Sequence, residues 1–145
     1  MADEEEMNRV AGELQIQQAK GDAIRQQIQQ MQEVSLEITS TLEVLRNIGK
    51  AKGNALVPVG AGIFVSCSKA DPEKVVMNIG ANIMVHKKPD EAISMLEERR
   101  ENMIKATASA QADLNQVIAE MERLSQRASE FAAAEEGKNV RPSKG

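Results

Sequence analysis

A seven-residue repeat of apolar side chains, present twice, constrains this chain more than any other feature. With Met7 at position a and Val10 at position d, the a series reads Met7, Leu14, Gly21, Ile28, Ser35, Leu42. The d series reads Val10, Gln17, Ile24, Met31, Ile38, Leu45, and nine of these twelve residues are apolar. The pattern returns after the middle of the chain, with Ile93, Arg100, Thr107, Leu114, Met121, Ala128 at a and Leu96, Met103, Ala110, Val117, Leu124, Phe131 at d; ten of those twelve are apolar. Apolar residues every 3.5 positions over six heptads on each side predict supercoiled helices rather than short globular ones.

Helix breakers are scarce inside the repeats, the first holding only Gly12 and Gly21. No Pro interrupts Asp3–Arg46, and after Pro89 neither Pro nor Gly occurs before Gly137. Gly49 and Gly53 can stop the first helix, while Pro89 suits the first turn of the second and Asp90 and Glu91 complement its N-terminal dipole. The expected organisation is a single unit over residues 1–136, with a helix at 3–50, a β segment at 54–88, a second helix at 89–136, and a polar, disordered tail at 137–145. The fold class is α+β, mainly α. Equal lengths and matched frames predict an antiparallel pair in which Leu45 meets Ile93, Leu42 meets Leu96, Leu14 meets Leu124 and Met7 meets Phe131. In that register the non-apolar seam residues Gln17, Gly21, Ser35, Arg100 and Thr107 all face apolar partners; a one-heptad slip also avoids polar–polar layers, and equal overhang at the β end favours the first.

The β segment contains an internal repeat. Val59-Gly60-Ala61-Gly62-Ile63-Phe64-Val65 returns twenty residues later as Ile79-Gly80-Ala81-Asn82-Ile83-Met84-Val85, each copy reading as strand, Gly-containing turn, strand. Asp71-Pro72-Glu73 is the turn between the two hairpins. One face of the strands shows Ile63, Val65, Cys67, Val75, Met77, Ile79, Ile83 and Val85, and the other carries Phe64, Val76 and Met84 beside Ser66, Asn78 and His86. Two short hairpins cannot cover two apolar faces, and they leave unpaired edges, so a partner's strands are the simplest remedy. The candidate assembly residues are Leu56, Val57, Val59, Ile63, Phe64, Val65, Val75, Val76, Met77, Ile79, Ile83, Met84 and Val85.

Composition removes several classes of function. The chain of 145 residues has no Trp, no Tyr and only two Phe, so it buries narrow aliphatic seams rather than a thick aromatic core. Its net charge of −4 with scattered basic residues provides no stripe for nucleic acid. Its single cysteine, Cys67, excludes an internal disulfide and a metal cluster and suits a reducing cytosol. The acidic start Met-Ala-Asp-Glu-Glu-Glu is unlike a secretory signal, and no run approaches the ~18 apolar residues of a membrane span. The reading is a soluble, cytoplasmic protein without a membrane partner.

Enzyme chemistry finds no constellation here. Gly60-Ala61-Gly62 is read as a turn, because a dinucleotide loop needs a third Gly and a following helix whereas Phe64-Val65 continues as strand. No Gly-Lys-Ser/Thr element exists to hold ATP, and neither a cofactor nor a metal is expected. His86, the only histidine, lacks a ligand set or a nucleophile beside it, and Cys67 occupies an alternating apolar position of a strand. Glu4-Glu5-Glu6 and Glu97-Glu98 read as solvated helix faces. The informative region is the pair of helix ends far from the hairpins, where the register sets Met7, Val10 and Leu14 beside Leu124, Ala128 and Phe131. One reading is a seam that closes normally to its end, which suits Leu14–Leu124; in the other, fraying near the termini presents Met and Phe side chains as an adaptable surface for irregular apolar targets, with Met7 and Phe131 the leading candidates.

Helix, two hairpins, helix, with Leu56-Val57-Pro58-Val59-Gly60 opening the β segment, resembles the alpha subunits of the prefoldin family, most closely the archaeal form. The likeness spans about residues 5–135 and is most specific at Leu56–Gly62, Val76–Ala81 and Pro89–Ala92. Two hairpins rather than one mark the alpha type. The resemblance implies a heterohexamer of two alpha and four prefoldin beta subunits, whose hairpins form an intersubunit β-barrel platform from which coiled coils project. It implies an ATP-independent chaperone that holds non-native polypeptides at the tips and passes them to a group II chaperonin. Two other readings stay open: a non-chaperone assembly protein, including a filament-forming relative, and an enzyme carrying a coiled-coil arm.

Overall fold

The computed structural model describes residues 2–47, 55–67 and 74–139. Helix α1 runs Ala2–Asn47 and helix α2 runs Pro89–Asn139. Between them lie strands β1 (Ala55–Gly60), β2 (Ile63–Cys67), β3 (Val75–Asn78) and β4 (Met84–Lys87). Acidic residues occupy the first turn of both helices and Arg46 the last turn of α1, each placed to offset a helix dipole. The expected stops at Gly49 and Gly53 and the turn at Asp71–Glu73 lie outside the described residues.

The buried positions are those of the heptads. All twenty-four a and d residues are buried or half-buried, including the polar Gln17, Ser35, Arg100 and Thr107. The chain divides into two compact units. In the first, which joins residues up to Met31 with those from Ala106 onward, Ile28, Ala110 and Leu114 form a core flanked by Ile24, Met31 and Ile118. In the second, Gln32–Lys105, Ile38, Leu42 and Leu96 form a core flanked by Leu45, Ile93 and Met77. Leu42 with Leu96, and Leu45 with Ile93, thus share a cluster as the antiparallel register requires.

The internal repeat persists down to the backbone. Strands β1 and β2 pair antiparallel with Ala55 opposite Cys67, Leu56 opposite Ser66, Val57 opposite Val65 and Pro58 opposite Phe64. Strands β3 and β4 repeat this ladder twenty residues on, with Val75 opposite Lys87, Val76 opposite His86, Met77 opposite Val85 and Asn78 opposite Met84. The turns match as well: φ is 116°, 52° and 77° at Gly60, Ala61 and Gly62, and 118°, 49° and 59° at Gly80, Ala81 and Asn82. In the second turn the Gly80 amide donates to Asn78 Oδ1 at 2.9 Å, and the Ile83 amide to the Gly80 carbonyl at 2.9 Å.

The structure differs from the sequence reading at two places. Helix α2 continues through Gly137 to Asn139, beyond the expected end at Glu136. The strong helix formers Ala132, Ala133, Ala134, Glu135 and Glu136 carry the helix past a glycine that costs only about 1 kcal/mol in a helix. Second, the hairpin faces are not equivalent. Val75, Met77, Val85 and Lys87 are half-buried while Val76, Asn78, Met84 and His86 are exposed, because Met77 packs on the Ile38–Leu42–Leu96 core of its own chain. One face of the second hairpin is therefore partly covered without any partner.

Candidate functional site

Two regions were singled out from the sequence, the helix ends and the hairpins, and the structure treats them oppositely. At the helix ends the seam is closed. Val10 is 3 % exposed and Leu124 1 %, while Met7, Leu14, Ala128 and Phe131 are half-buried. Both helices keep their form to Ala2 and Asn139. Heptad packing continues through these residues in the structure, with Val10 and Leu124 inside the seam and Met7 and Phe131 at its partly accessible margin. The six residues do belong to one compact unit, as the register placed them.

A polar contact not foreseen in the sequence joins the two helices at this end. Arg127 of α2 forms a hydrogen-bonded ion pair with Glu6 of α1, and its guanidinium carbon lies 6.0 Å from the centroid of the Phe131 ring. Both residues immediately precede an a position, Met7 and Ala128, which is the signal that could have found them: antiparallel helices bring such seam-flanking residues together. One heptad inward, Glu13 and Glu120 hold the corresponding flanking positions and are both half-buried. Arg123 donates to Glu120 within α2 at 3.0 Å. That bond, ahead of the opposing partial burial and the Arg123 charge, holds the Glu120 carboxyl below the usual carboxylate value.

The hairpins carry the largest concentration of uncovered apolar surface. Leu56, Val59, Ile63, Phe64, Val65, Val76, Ile79, Ile83 and Met84 are all exposed, Phe64 at 58 % and Met84 at 61 %. The side chain of Val57 lies outside the described residues, and Val75, Met77 and Val85 are half-buried. Soluble chains seldom leave so many apolar side chains together in solvent unless another surface covers them. Isolated large apolar residues also sit off the seam, Ile16 and Leu36 among them; apolar residues at outer heptad positions were the sequence signal for these.

The residues weighed for chemistry are not drawn into a catalytic group. His86 is exposed on β4 opposite Val76, and Gly60-Ala61-Gly62 turns the chain between two strands with no helix following. The side chain of Cys67 lies outside the described residues. Among the described residues no cluster of three or more His, Cys, Asp or Glu side chains could hold a metal ion, and no helix is long and apolar enough to cross a membrane.

Comparison with known proteins follows this architecture. A family model described as Prefoldin subunit matches residues 17–134. Prefoldin subunit alpha of Thermofilum pendens is 32 % identical over 80 % of this chain and 92 % of its own length. That of Pyrococcus horikoshii is 33 % identical over 83 % and 86 %, and that of Methanobrevibacter smithii 29 % identical over 94 % of each. Among solved structures, a filamentous PFD from Methanocaldococcus jannaschii, determined by cryo-EM, superposes with a TM-score of 0.68 at 20 % identity, over 77 % of this chain and 93 % of the other. That last likeness establishes the fold.

Proposed function

The chain belongs to the prefoldin family, a family of chaperones rather than enzymes, and from that premise we propose that it is the alpha-type subunit of an ATP-independent holdase. Two copies would join four prefoldin beta subunits through their hairpins, in a β-barrel platform. The coiled-coil tips would hold non-native polypeptides and deliver them, in the cytoplasm, to a group II chaperonin. The observation that carries this reading is the contrast between sealed helices and uncovered hairpins. The heptads bury their apolar residues within the chain, whereas Phe64, Val76 and Met84 stay exposed on hairpins that, among the described residues, pair with no third strand. Such a β segment supports assembly, and assembly gives the tips their use. Several weak apolar contacts on linked subunits can exceed one contact by ~10²–10⁴ in avidity while each remains reversible.

The test is suppression of aggregation of a denatured protein by the complex with a beta-type subunit, comparing the full chain with one lacking residues 1–14 and 124–145. Loss of protection by assembled, truncated complexes is the expected result; equal protection would remove the tips from the mechanism. A second reading, a homopolymer in which hairpins join end to end, is favoured by the likeness to a filamentous PFD. Native mass spectrometry of the chain alone and with the beta-type subunit separates the two, long homopolymers in both samples counting against the hexamer.

A further inference from the structure

A holdase tip that is closed in its resting form needs something that decides when it opens. The closed tip has a specific clasp. Glu6 and Arg127 come from opposite helices, flank the seam at its end, and stand beside buried Val10 and Leu124. Arg127 also overlies the Phe131 ring, so one guanidinium engages both the opposite helix and the aromatic side chain at the tip. The half-buried carboxylates among the described residues are Glu6, Glu13 and Glu120, all on this same flank. One heptad inward, two of these carboxylates occupy facing positions, and Arg123 bonds to Glu120 within its own helix. That layer carries its own cations, since Arg9 pairs with Glu13 and Arg123 lies close enough to attract Glu13 as well as Glu120, so the attraction across the flank extends from there out to Glu6–Arg127 near the helix ends.

We propose that Arg127 is a positioning residue that gates the tip: paired with Glu6 and covering Phe131, it holds the helices shut over Val10 and Leu124, and its release increases the apolar surface offered to a non-native chain. Both partners are partly solvated, with side chains 43 % and 37 % exposed. A pair of this kind shifts an equilibrium only modestly. That suits a gate, because a clasp worth much more would keep the tip permanently closed. The clasp also weakens with salt, since at 1 M the screening length falls to about 3 Å. This gating rests on the reading that clients bind at the tips, and the two ideas separate experimentally.

Amide hydrogen exchange on the full chain reports opening directly, without a client. In Arg127→Gln and Glu6→Gln, exchange over residues 6–14 and 121–137 is expected to quicken about two- to five-fold. The double variant Glu6→Arg/Arg127→Glu restores the ion pair with its polarity reversed and is expected to return exchange to the parent rate. Lys105→Gln, which removes an exposed ion pair made within α2 to Glu101 away from the tip, serves as the control and leaves the rate unchanged. Unaltered exchange in both single variants, or no recovery in the reversed pair, overturns the gate. Aggregation suppression by the assembled complexes is then read separately. Stronger protection by Arg127→Gln supports gated capture, whereas faster exchange with unchanged protection leaves the gate standing and removes the tips as the client site.

Discussion

Gly21 faces Val117 across the seam closely enough that a methyl group on Gly21 would lie 3.4 Å from Val117 Cγ1 and 3.9 Å from Leu114 Cδ1. This is the spacing of ordinary van der Waals contact, so the seam has room for one carbon and little more. Gly21→Ala is expected to stabilise the full chain by about 1 kcal/mol, because alanine loses less backbone entropy in a helix and fills the gap. Gly21→Leu reverses the sign, since overpacking a seam costs roughly 1–3 kcal/mol. Urea denaturation with an unchanged slope checks both. A destabilised Gly21→Ala would mean that the seam lacks room for even one added carbon.

The two hairpin turns store strain at equivalent places. Ala61 and Ala81 adopt φ of 52° and 49°, a left-handed conformation that costs an L-residue about 1–2 kcal/mol. Ala81→Gly relieves it and loses about 0.4–1 kcal/mol of that gain to a freer unfolded chain. The net expectation is slower amide exchange across β3 and β4. Gly80→Ala acts oppositely, because φ of 118° lies where side chains are not tolerated. Faster exchange confined to the second hairpin is the expected signature, and an effect spread along both helices would contradict it.

How far these features could be read in advance depends on how local their causes are. The seam was legible to the residue, because a seven-residue period states which side of each helix is buried whatever lies around it. The duplicated hairpins were legible for a similar reason: Gly60-Ala61-Gly62 and Gly80-Ala81-Asn82 carry the turn within three residues. The partly covered face of the second hairpin was not, because Met77 packs against a helix pair distant in sequence, and an alternating strand looks equally apolar on both sides. The ion pair at the tip lies between these two cases. Fraying is the default for helix ends, and the Glu6–Arg127 contact that opposes it appears only once the antiparallel register has been carried out to the flanking positions.

Arg123 holds Glu120 in its ionised form, and removing it has a definite sign. The hydrogen bond from Arg123 is the leading cause of the lowered Glu120 value, and the Arg123 value is raised by the same bond. Because Glu120 is depressed in the folded chain, its contribution to stability is complete above the unfolded carboxylate value and disappears as pH falls through the folded one. Arg123→Gln is expected to move the Glu120 transition upward, toward the ordinary glutamate range, in a side-chain NMR titration. A Glu120 transition that stays put would show that neighbouring groups, not Arg123, set it. Global stability at neutral pH is expected to change little, since the pair is solvated and lies within one helix.

Assembly through the exposed hairpin face makes the sharpest demand on particular residues. Val76 and Met84 are 57 % and 61 % exposed in the chain and share a face with Asn78 and His86, so a carboxylate there costs the isolated chain almost nothing. Once a neighbouring strand covers that face, the same carboxylate must be desolvated without a partner, a penalty of several kcal/mol that far exceeds ordinary surface effects. Val76→Asp and Met84→Asp are therefore expected to keep the helical circular dichroism of the parent while weakening association with a beta-type subunit at least ~10-fold, about 1.4 kcal/mol. Leu36→Asp supplies the contrast, because Leu36 is 69 % exposed on the outer side of α1 and away from the hairpins in sequence, and its association is expected to match the parent. Sedimentation velocity across a concentration series distinguishes the cases. Undiminished association in both hairpin variants would place the interface on the opposite strand face or on the free edges, where Val76 and Met84 would remain in water.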